Sequence, residues 1–271
     1  MKFILLLLTL LFLVNPCSQL YSNTLKLGVV PQYDHRTLSS IWSPIISELK
    51  TNNLNISYVG SSSISEFEKK FNNGDFDFVY LNPYHMIVAN KSQNYQPLFR
   101  DVEKELYGII VVKKSSGIED LAQLDKSIIA FPSPNALGAS LIPRSEFKYK
   151  FNIQPEYIYV KSHDSVYLNV LLGKVIAGGG VQKTFNKQPE HIRKPLKIIY
   201  ETQKVKPHPI AFHPRVSHEI LKIFKNTFIH LSESDRGQEV LSAIPIKKLG
   251  AAKMTDYTPL LKMNLEKFYI K

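Results

Sequence analysis

The chain has 271 residues, of which 44% are apolar and 21% charged, a composition that excludes a disordered protein and suits one large domain or two modest lobes. Lysine and arginine outnumber aspartate and glutamate by 34 to 23, and this basic balance suits an anionic partner. The basic residues are scattered, without the run that a nucleic-acid-binding stripe needs, so we expect no nucleic-acid partner.

The N-terminus has the pattern of a secretory signal peptide over residues 1–22, with a lysine at position 2 and an apolar run that ends at Val14. This run is too short to span a bilayer. We expect cleavage after Ser22 and a periplasmic location, with a retained N-terminal anchor as the alternative. The only cysteine, Cys17, follows a proline instead of the small residue that a lipoprotein site requires. Lipidation is therefore disfavoured, and the mature chain has no disulfide or thiolate metal site.

Strands and helices alternate in the first part of the mature chain. Apolar runs predict strands at residues 25–31, 55–59 and 75–81. Helical spacing predicts a helix at 38–50, and Ser61 to Ser63 offer N-caps for a second helix that ends near Phe71. A turn is expected at Asn82-Pro83. This β-α-β-α-β order predicts a mainly parallel sheet flanked by helices.

The same pattern restarts near Tyr107. The predicted strands are 107–112, 128–131, 157–160 and 175–177, and the predicted helices are 118–124, a helix from about Ala136, 166–172, 219–231 and 235–242. The last two helices should pack back on the first lobe. We therefore expect an α/β protein in which residues 23–108 and 206–271 form lobe 1 and residues 109–205 form lobe 2. The two lobes are joined by two hinge crossings, near 105–110 and 200–206.

Ligands of open α/β sheets bind beyond the carboxyl ends of the strands, so the loops after Leu81, Phe131 and Ala177 should line a cleft. Residues 131–140 are the most informative of these loops, because a strand ends, a proline-rich turn follows, and small residues open a helix. Free backbone N–H groups and the positive end of a helix dipole together form an anion site. An ordinary strand–turn–helix junction is the alternative that the pattern leaves open.

A series of short segments follows a common order from Leu25 to about Tyr257: residues 28–31, 66–67, 74–77, 80–84, 116–121, 131–143, 162–164 and 173–175. Through these segments and their order, the chain resembles the phosphonate/phosphite/phosphate-binding family of type II periplasmic binding proteins, which serve ABC transporters. The resemblance implies a Venus-flytrap fold of two α/β lobes. It also implies an oxyanion bound at the N-terminus of a lobe 2 helix.

Carried over residue by residue, the resemblance implies that the anion meets the amides of residues 136–139, the Tyr107 hydroxyl and the His163 imidazole, which adds charge if it is protonated. A tyrosine that commonly covers the ligand is replaced by Ile64, where Ser61 to Ser63 can substitute. Members that bind aminoalkyl phosphonates use acids near Gln182 and His208; neither neighbourhood here has a carboxylate, so we expect no cationic amine on the ligand. The candidate ligand-binding residues are Ser63, Asn82, Tyr107, Asn135, Ala136, Leu137, Gly138, Ala139, His163, Gln182 and His208.

The sequence thus predicts a periplasmic protein, monomeric or a weak dimer, that captures phosphate, phosphite, a phosphonate or an analogue for an ABC permease. The alternative is an accessory protein of the same fold that presents its ligand to a membrane sensor kinase or chemoreceptor. A hydrolase that uses His163 is a third reading. We expect no enzyme, no cofactor and no metal, because no catalytic motif or zinc spacing is present and Gly178-Gly179-Gly180 is interpreted as a tight turn facing the cleft.

Overall fold

The structure is a computed structural model that describes residues 24–244 and 246–270. The predicted signal peptide, its cleavage after Ser22 and the lipidation question at Cys17 lie outside the described residues. Among the helices in these ranges, none combines the length and the apolar character needed to cross a membrane.

Lobe 1 is built on a sheet with the strand order β11-β4-β10-β3-β1-β2. Its strands are β1 (Leu25–Val29), β2 (Ile56–Val59), β3 (Phe78–Tyr80), β4 (Gln96–Asp101), β10 (Ile210–Phe212) and β11 (Leu249–Ala251). Its helices are α1 (His35–Thr51), α2 (Ile64–Asn72), α3 (Pro83–Gln93), α8 (His218–Glu233) and α9 (Asp235–Ala243). The apolar spacing that predicted α1 is confirmed, since Leu38, Trp42 and Ile45 are all buried in the core.

Lobe 2 is built on a second sheet, with the strand order β7-β6-β8-β5-β9. Its strands are β5 (Gly108–Lys113), β6 (Ile128–Phe131), β7 (Glu156–Tyr159), β8 (Ala177–Val181) and β9 (Leu196–Glu201). Its helices are α4 (Ile142–Tyr149), α5 (His163–Leu171), α6 (Gln182–Asn186) and α7 (Glu190–Arg193), and a π-helical turn over Leu137–Leu141 leads into α4. Apolar side chains cover both faces of this sheet.

Both sheets are mixed. In lobe 1, β1 pairs in parallel with β2 and β3, whereas β10 is antiparallel to β3 and β4. In lobe 2, β6 pairs in parallel with β7 and β8, whereas β5 is antiparallel to β8 and β9. The strand that follows each crossing, β5 or β10, is therefore antiparallel to both of its neighbours, and so is β4, which lies between β10 and β11. The α/β two-lobed fold is confirmed; these antiparallel insertions were not predicted.

The two segments that link the sheets are paired with each other. One runs from β4 to β5 and the other from β9 to β10. They meet in an antiparallel bridge in which Leu106 and Val205 each donate a backbone N–H to the other's carbonyl at 2.8 Å. This short two-stranded bridge is the place where the lobes can bend relative to each other.

Asn82-Pro83 is a helix start and not the turn that the sequence suggested. The Asn82 side chain accepts a hydrogen bond from the His85 amide at 2.8 Å and so caps α3. Pro83 occupies the first helical position, where its missing N–H costs nothing. The same dipeptide signals a turn or a helix start, and only the continuation of the chain distinguishes them.

The C-terminal segment, residues 258–270, contacts both lobes instead of lobe 1 alone. Its buried Leu260 and Leu265 share an apolar cluster with Tyr84 of lobe 1 and with Leu137 and Ile142 of lobe 2. This segment therefore forms an additional contact between the lobes, beside the paired crossings. Its position next to the π-helical turn brings it close to the predicted anion site.

Candidate ligand-binding cleft

A cavity of about 820 Å³ lies between the two lobes. Lobe 1 lines it with the loop after β1 (residues 30–35) and the start of α2 (61–65). Lobe 2 lines it with the turn after β6 (132–139, except Asn135) and the loop after β7 (161–164). The prediction that the loops after Leu81 and Phe131 face a cleft agrees with this lining, because Asn82 and the turn after β6 both belong to it. This volume is within the range of small-molecule sites.

The turn after β6 lines this cavity and contains backbone amides that precede the first helical bond. The Ser140 amide makes the first helical bond, to the Ala136 carbonyl at 2.8 Å. The amides of Leu137, Gly138 and Ala139 precede that bond, so helix geometry leaves them without a partner inside the helix. All three residues line the cavity. Three amides at the positive end of the Leu137–Tyr149 helix are an arrangement that binds an oxyanion.

Glycines in the neighbouring strands allow this turn to lie directly on the sheet. A Cβ atom on Gly108 of β5 would overlap the Gly138 carbonyl, and one on Gly179 of β8 would overlap the Ala139 carbonyl. The interpretation of residues 178–180 as a tight turn is wrong, because they are the middle of β8. These glycines leave space: the side chains of α5 and the turn after β6 pack where their own side chains would be.

Asn135 is 2% exposed and does not line the cavity. It supports the turn after β6 through the hydrogen bonds of its side chain. Its side-chain amide donates to a Glu68 carboxylate oxygen at 2.9 Å. It also donates to the Ile270 carbonyl at 2.6 Å and accepts from the Ile270 amide at 2.9 Å. The contact of Asn135 with a ligand stays a prediction. Its side chain ties the turn to α2 and to the C-terminal segment.

Arg144, which was not predicted from the sequence, also holds the turn after β6 in place. It is 4% exposed and its guanidinium donates to the carbonyls of Pro134 and Ser140, which bracket the turn. It also donates to the Phe268 carbonyl at 3.0 Å and to the Tyr159 hydroxyl at 3.1 Å. No local sequence signal distinguished this arginine from a solvent-exposed one on α4.

His163 is the first residue of α5, which Ser162 caps, and it lines the cavity. Its Nδ1 lies 3.3 Å from the Thr184 hydroxyl, which in turn lies 2.7 Å from the Tyr167 hydroxyl. Nε2 is therefore the ring nitrogen that remains for the cavity. When Nδ1 accepts the Thr184 proton, Nε2 carries a hydrogen and can donate it to a ligand oxygen.

Burial lowers the pKa of His163 to about 4, against an opposing effect from Asp164. At neutral pH the imidazole is therefore uncharged in the structure. The expectation that His163 adds a positive charge to the site is corrected accordingly. An uncharged imidazole adds no charge to the site, so any charge attraction for the anion comes from the helix dipole and from the net basic character of the chain.

His208 lies on the lobe 1 side of the cavity at the end of a crossing. Its ring stacks on Tyr80 with 5.4 Å between centroids, and its Nε2 lies 3.1 Å from the Gln32 side-chain amide. Burial, with smaller effects from His85 and Lys183, lowers its pKa to about 3. A neutral histidine therefore lies near the position where family members that bind aminoalkyl phosphonates are expected to have an acid for the amine.

Two other candidates line the cavity and also cap helices. The Ser63 hydroxyl accepts from the Glu66 amide at 3.1 Å and caps α2. Asn82, which caps α3, donates from its side-chain amide to the Asn135 carbonyl of lobe 2 at 3.4 Å. Asn82 therefore links the lobes across the cavity, in addition to its position in the lining.

Tyr107 and Gln182 lie outside the lining. The Tyr107 backbone is close to Gly138, but its half-buried ring packs against the lobe 2 core and under the Lys204 ammonium, 5.4 Å from the ring centroid. The Gln182 side chain donates to Asn186 at 2.7 Å. The contact of either residue with a ligand stays a prediction.

The lining also includes two carboxylates that the sequence analysis did not find. Asp34 accepts hydrogen bonds from the Thr37 amide and hydroxyl, and these bonds lower its pKa. Asp164 accepts from the Gln188 side chain at 2.6 Å. The cavity is thus not free of acids, although both carboxylates have partners within their own lobes. In the ranges described, no three His, Cys, Asp or Glu side chains are grouped as a metal ion would require.

Solved structures show the same fold. A binding protein component of an ABC phosphonate transporter from Pseudomonas aeruginosa is 15% identical, with a TM-score of 0.79 over 90% of this chain and 86% of the other. PhnD1 from Prochlorococcus marinus, in complex with methylphosphonate, is 16% identical, with a TM-score of 0.80 over 91% and 99%. XAC2383 from Xanthomonas citri, bound to ATP, is 13% identical, with a TM-score of 0.74 over 92% and 100%.

The sequence itself matches a family described as "ABC transporter, phosphonate, periplasmic substrate-binding protein" over residues 27–257. This match includes the loops that line the cavity in both lobes. Because it also covers more than half of the chain, the protein belongs to the family of periplasmic substrate-binding proteins of phosphonate ABC transporters.

Proposed function

We propose that the protein captures a small oxyanion, such as phosphate, phosphite or a phosphonate, in the cavity between its lobes and delivers it to an ABC permease. The observation that supports this proposal is that Leu137, Gly138 and Ala139 line the cavity and that their amides precede the first helical bond. Family membership supports the transport role. A phosphonate is a reasonable first ligand because the Prochlorococcus marinus relative holds methylphosphonate.

In this proposal the anion binds first to lobe 2. The three amides donate to its oxygens, and His163 donates from Nε2 in the neutral tautomer whose Nδ1 accepts from the Thr184 hydroxyl. Lobe 1 then closes over the ligand with residues 30–35 and 61–65. We place the lobe boundaries after residues 108 and 205, so that bending occurs at the bridge between Leu106 and Val205.

Side-chain interactions between the two lobes can stabilise the closed form. The Lys187 ammonium of lobe 2 lies 4.6 Å from the centre of the Tyr33 ring of lobe 1. Asp164 of lobe 2 is close enough to Tyr33 to contribute to its raised pKa, after the larger effect of burial. A closed, ligand-bound form is what a permease would distinguish from the empty protein. We further propose that the protein acts in the periplasm and binds its ligand without chemical turnover.

Calorimetric titration of the purified mature protein tests this function. We expect at least one of phosphate, phosphite, methylphosphonate and 2-aminoethylphosphonate to bind with one site per chain. His163→Ala should weaken that binding about tenfold or more, since a hydrogen bond to a charged group contributes about 1.5–3 kcal/mol.

His230→Ala, on the exposed face of α8, is the matched control and should bind as the wild type does. Absence of heat with all four anions, together with unchanged melting temperatures in their presence, would contradict the proposal. Unchanged affinity in His163→Ala would contradict the role of this residue and leave the function intact.

A further inference from the structure

One hydroxyl on the lobe 1 side of the cavity differs from its neighbours. Ser61 is 7% exposed and lines the cavity, and its Oγ is buried without a hydrogen-bond partner among the described residues. The Ser62 hydroxyl, by contrast, donates to the Glu66 carboxylate at 2.6 Å. The Ser63 hydroxyl accepts from the Glu66 amide at 3.1 Å. Ser61 alone of these three therefore has its hydrogen-bonding capacity unused inside the protein.

The start of α2 adds backbone donors beside Ser61. The first helical bond of this nine-residue helix runs from the Phe67 amide to the Ser63 carbonyl at 3.1 Å. The amides of Ile64 and Ser65 precede it, and both residues line the cavity. The Glu66 carboxylate near this end is compensated by Lys70 at 2.7 Å. The lobe 1 wall thus offers one hydroxyl and two amides.

A buried hydroxyl without a partner is unfavourable unless something that enters the cavity supplies an acceptor. The lobe 1 carboxylate of the lining, Asp34, is already engaged by Thr37 and does not reach Ser61 in any hydrogen bond that the described residues make. These groups favour a ligand that carries oxygen on its lobe 1 side.

We propose that Ser61 determines ligand specificity by donating its hydroxyl proton, together with the amides of Ile64 and Ser65, to an acceptor oxygen at the end of the ligand that faces lobe 1. This inference rests on the proposed function. The preferred ligands then carry oxygen toward both lobes. They are inorganic phosphate, or a phosphonate whose organic group ends in a carboxylate. A simple alkyl phosphonate would bury its carbon against Ser61 and leave the hydroxyl unsatisfied.

Two matched ligand pairs test this inference by calorimetry. Phosphate and methylphosphonate differ by a hydroxyl in place of a methyl group, and phosphonoacetate and ethylphosphonate differ by a carboxylate in place of a methyl group. In the wild type we expect the oxygen-bearing member of at least one pair to bind about tenfold tighter or better. Ser61→Ala should reduce that preference about tenfold by weakening the oxygen-bearing ligand, and should leave the alkyl phosphonate bound at least as tightly.

The pair that responds identifies the source of the oxygen, either the phosphorus centre or the organic group. The ligand-free melting temperature of Ser61→Ala should not fall, because no hydrogen bond inside the protein is lost; Ser40→Ala on the exposed face of α1 is the control. A preference that is absent in the wild type, or that is unchanged in Ser61→Ala, would overturn the inference while the transport proposal stands. If none of the four ligands binds, this inference is overturned, and the proposed function falls as well only if phosphite and 2-aminoethylphosphonate also fail to bind.

Discussion

Two histidines in the cavity lining, His163 and His208, are held neutral by burial, with pKa values of about 4 and about 3. In the unfolded chain a histidine titrates near pH 6.5. Below that pH the unfolded state binds protons that the folded state does not, so the free energy of unfolding must fall as the pH falls. Both residues therefore make the ligand-free protein less stable in mild acid.

The stability of the ligand-free protein should decrease between pH 6.5 and pH 4.5. His208 accounts for about 1.4 kcal/mol per pH unit of this decrease, which is fully present only below its unfolded pKa. Urea unfolding of the wild type and of His208→Gln at several pH values in this window measures it. The variant should show a shallower decrease, since contributions from carboxylates are common to both proteins. Parallel curves for the two proteins would mean that His208 is accessible to protons in the folded state.

At the scale of residues, the sequence located the turn after β6 at the cavity but did not predict the partners of the side chains around it. The small residues Ala136, Gly138 and Ala139 suggested that an anion can approach closely, and all three line the cavity; their contact with an anion stays a prediction. The surroundings of the Tyr107 ring depend on Lys204, which is distant in sequence. The hydrogen bonds of the Asn135 side chain likewise depend on the distant Ile270. Ser61 looked equivalent to its two serine neighbours, and only its tertiary surroundings distinguish it.

At the scale of elements, the turn after β6 and the strands on which it packs form one unit. Gly108 and Gly179 let the carbonyls of Gly138 and Ala139 approach the sheet, and Arg144 and Asn135 hold the ends of the turn. Three consecutive glycines in a buried strand contradict ordinary strand propensity, which is why residues 178–180 suggested a turn. The close packing of the turn overrides that propensity.

Gly179→Ala should therefore damage both stability and binding. The added methyl group overlaps the Ala139 carbonyl and the Phe131 ring, and such overpacking costs about 1–3 kcal/mol of unfolding free energy. Because the overlap displaces the turn, affinity for the best anion should fall about tenfold or more.

Chemical denaturation and calorimetry on the same variant measure the two effects. Gly173→Ala is the control: it lies at a φ of +69° with nothing near its Cβ position, so it should cost some stability and leave affinity unchanged. Wild-type affinity in Gly179→Ala would show that the turn does not need its position on β8 to bind the anion.

At the scale of the whole molecule, the alternation of strands and helices was sufficient to predict two α/β lobes. It did not predict the antiparallel strands β5 and β10, because a short buried strand looks the same in either direction. It also assigned the C-terminal segment to lobe 1 alone. Leu260 and Leu265 pack against lobe 2 as well, through contacts that are distant in sequence and leave no periodic signal.

The central claim is that an oxyanion binds between the lobes at the amides of the turn after β6. A crystal structure of the protein with the tightest-binding anion tests it most directly. We predict anion oxygens within hydrogen-bond distance of the amide nitrogens of Leu137, Gly138 and Ala139 and of His163 Nε2, with lobe 1 closed over them. An anion bound elsewhere, or one in this cavity that makes no bond to these amides, would contradict the claim.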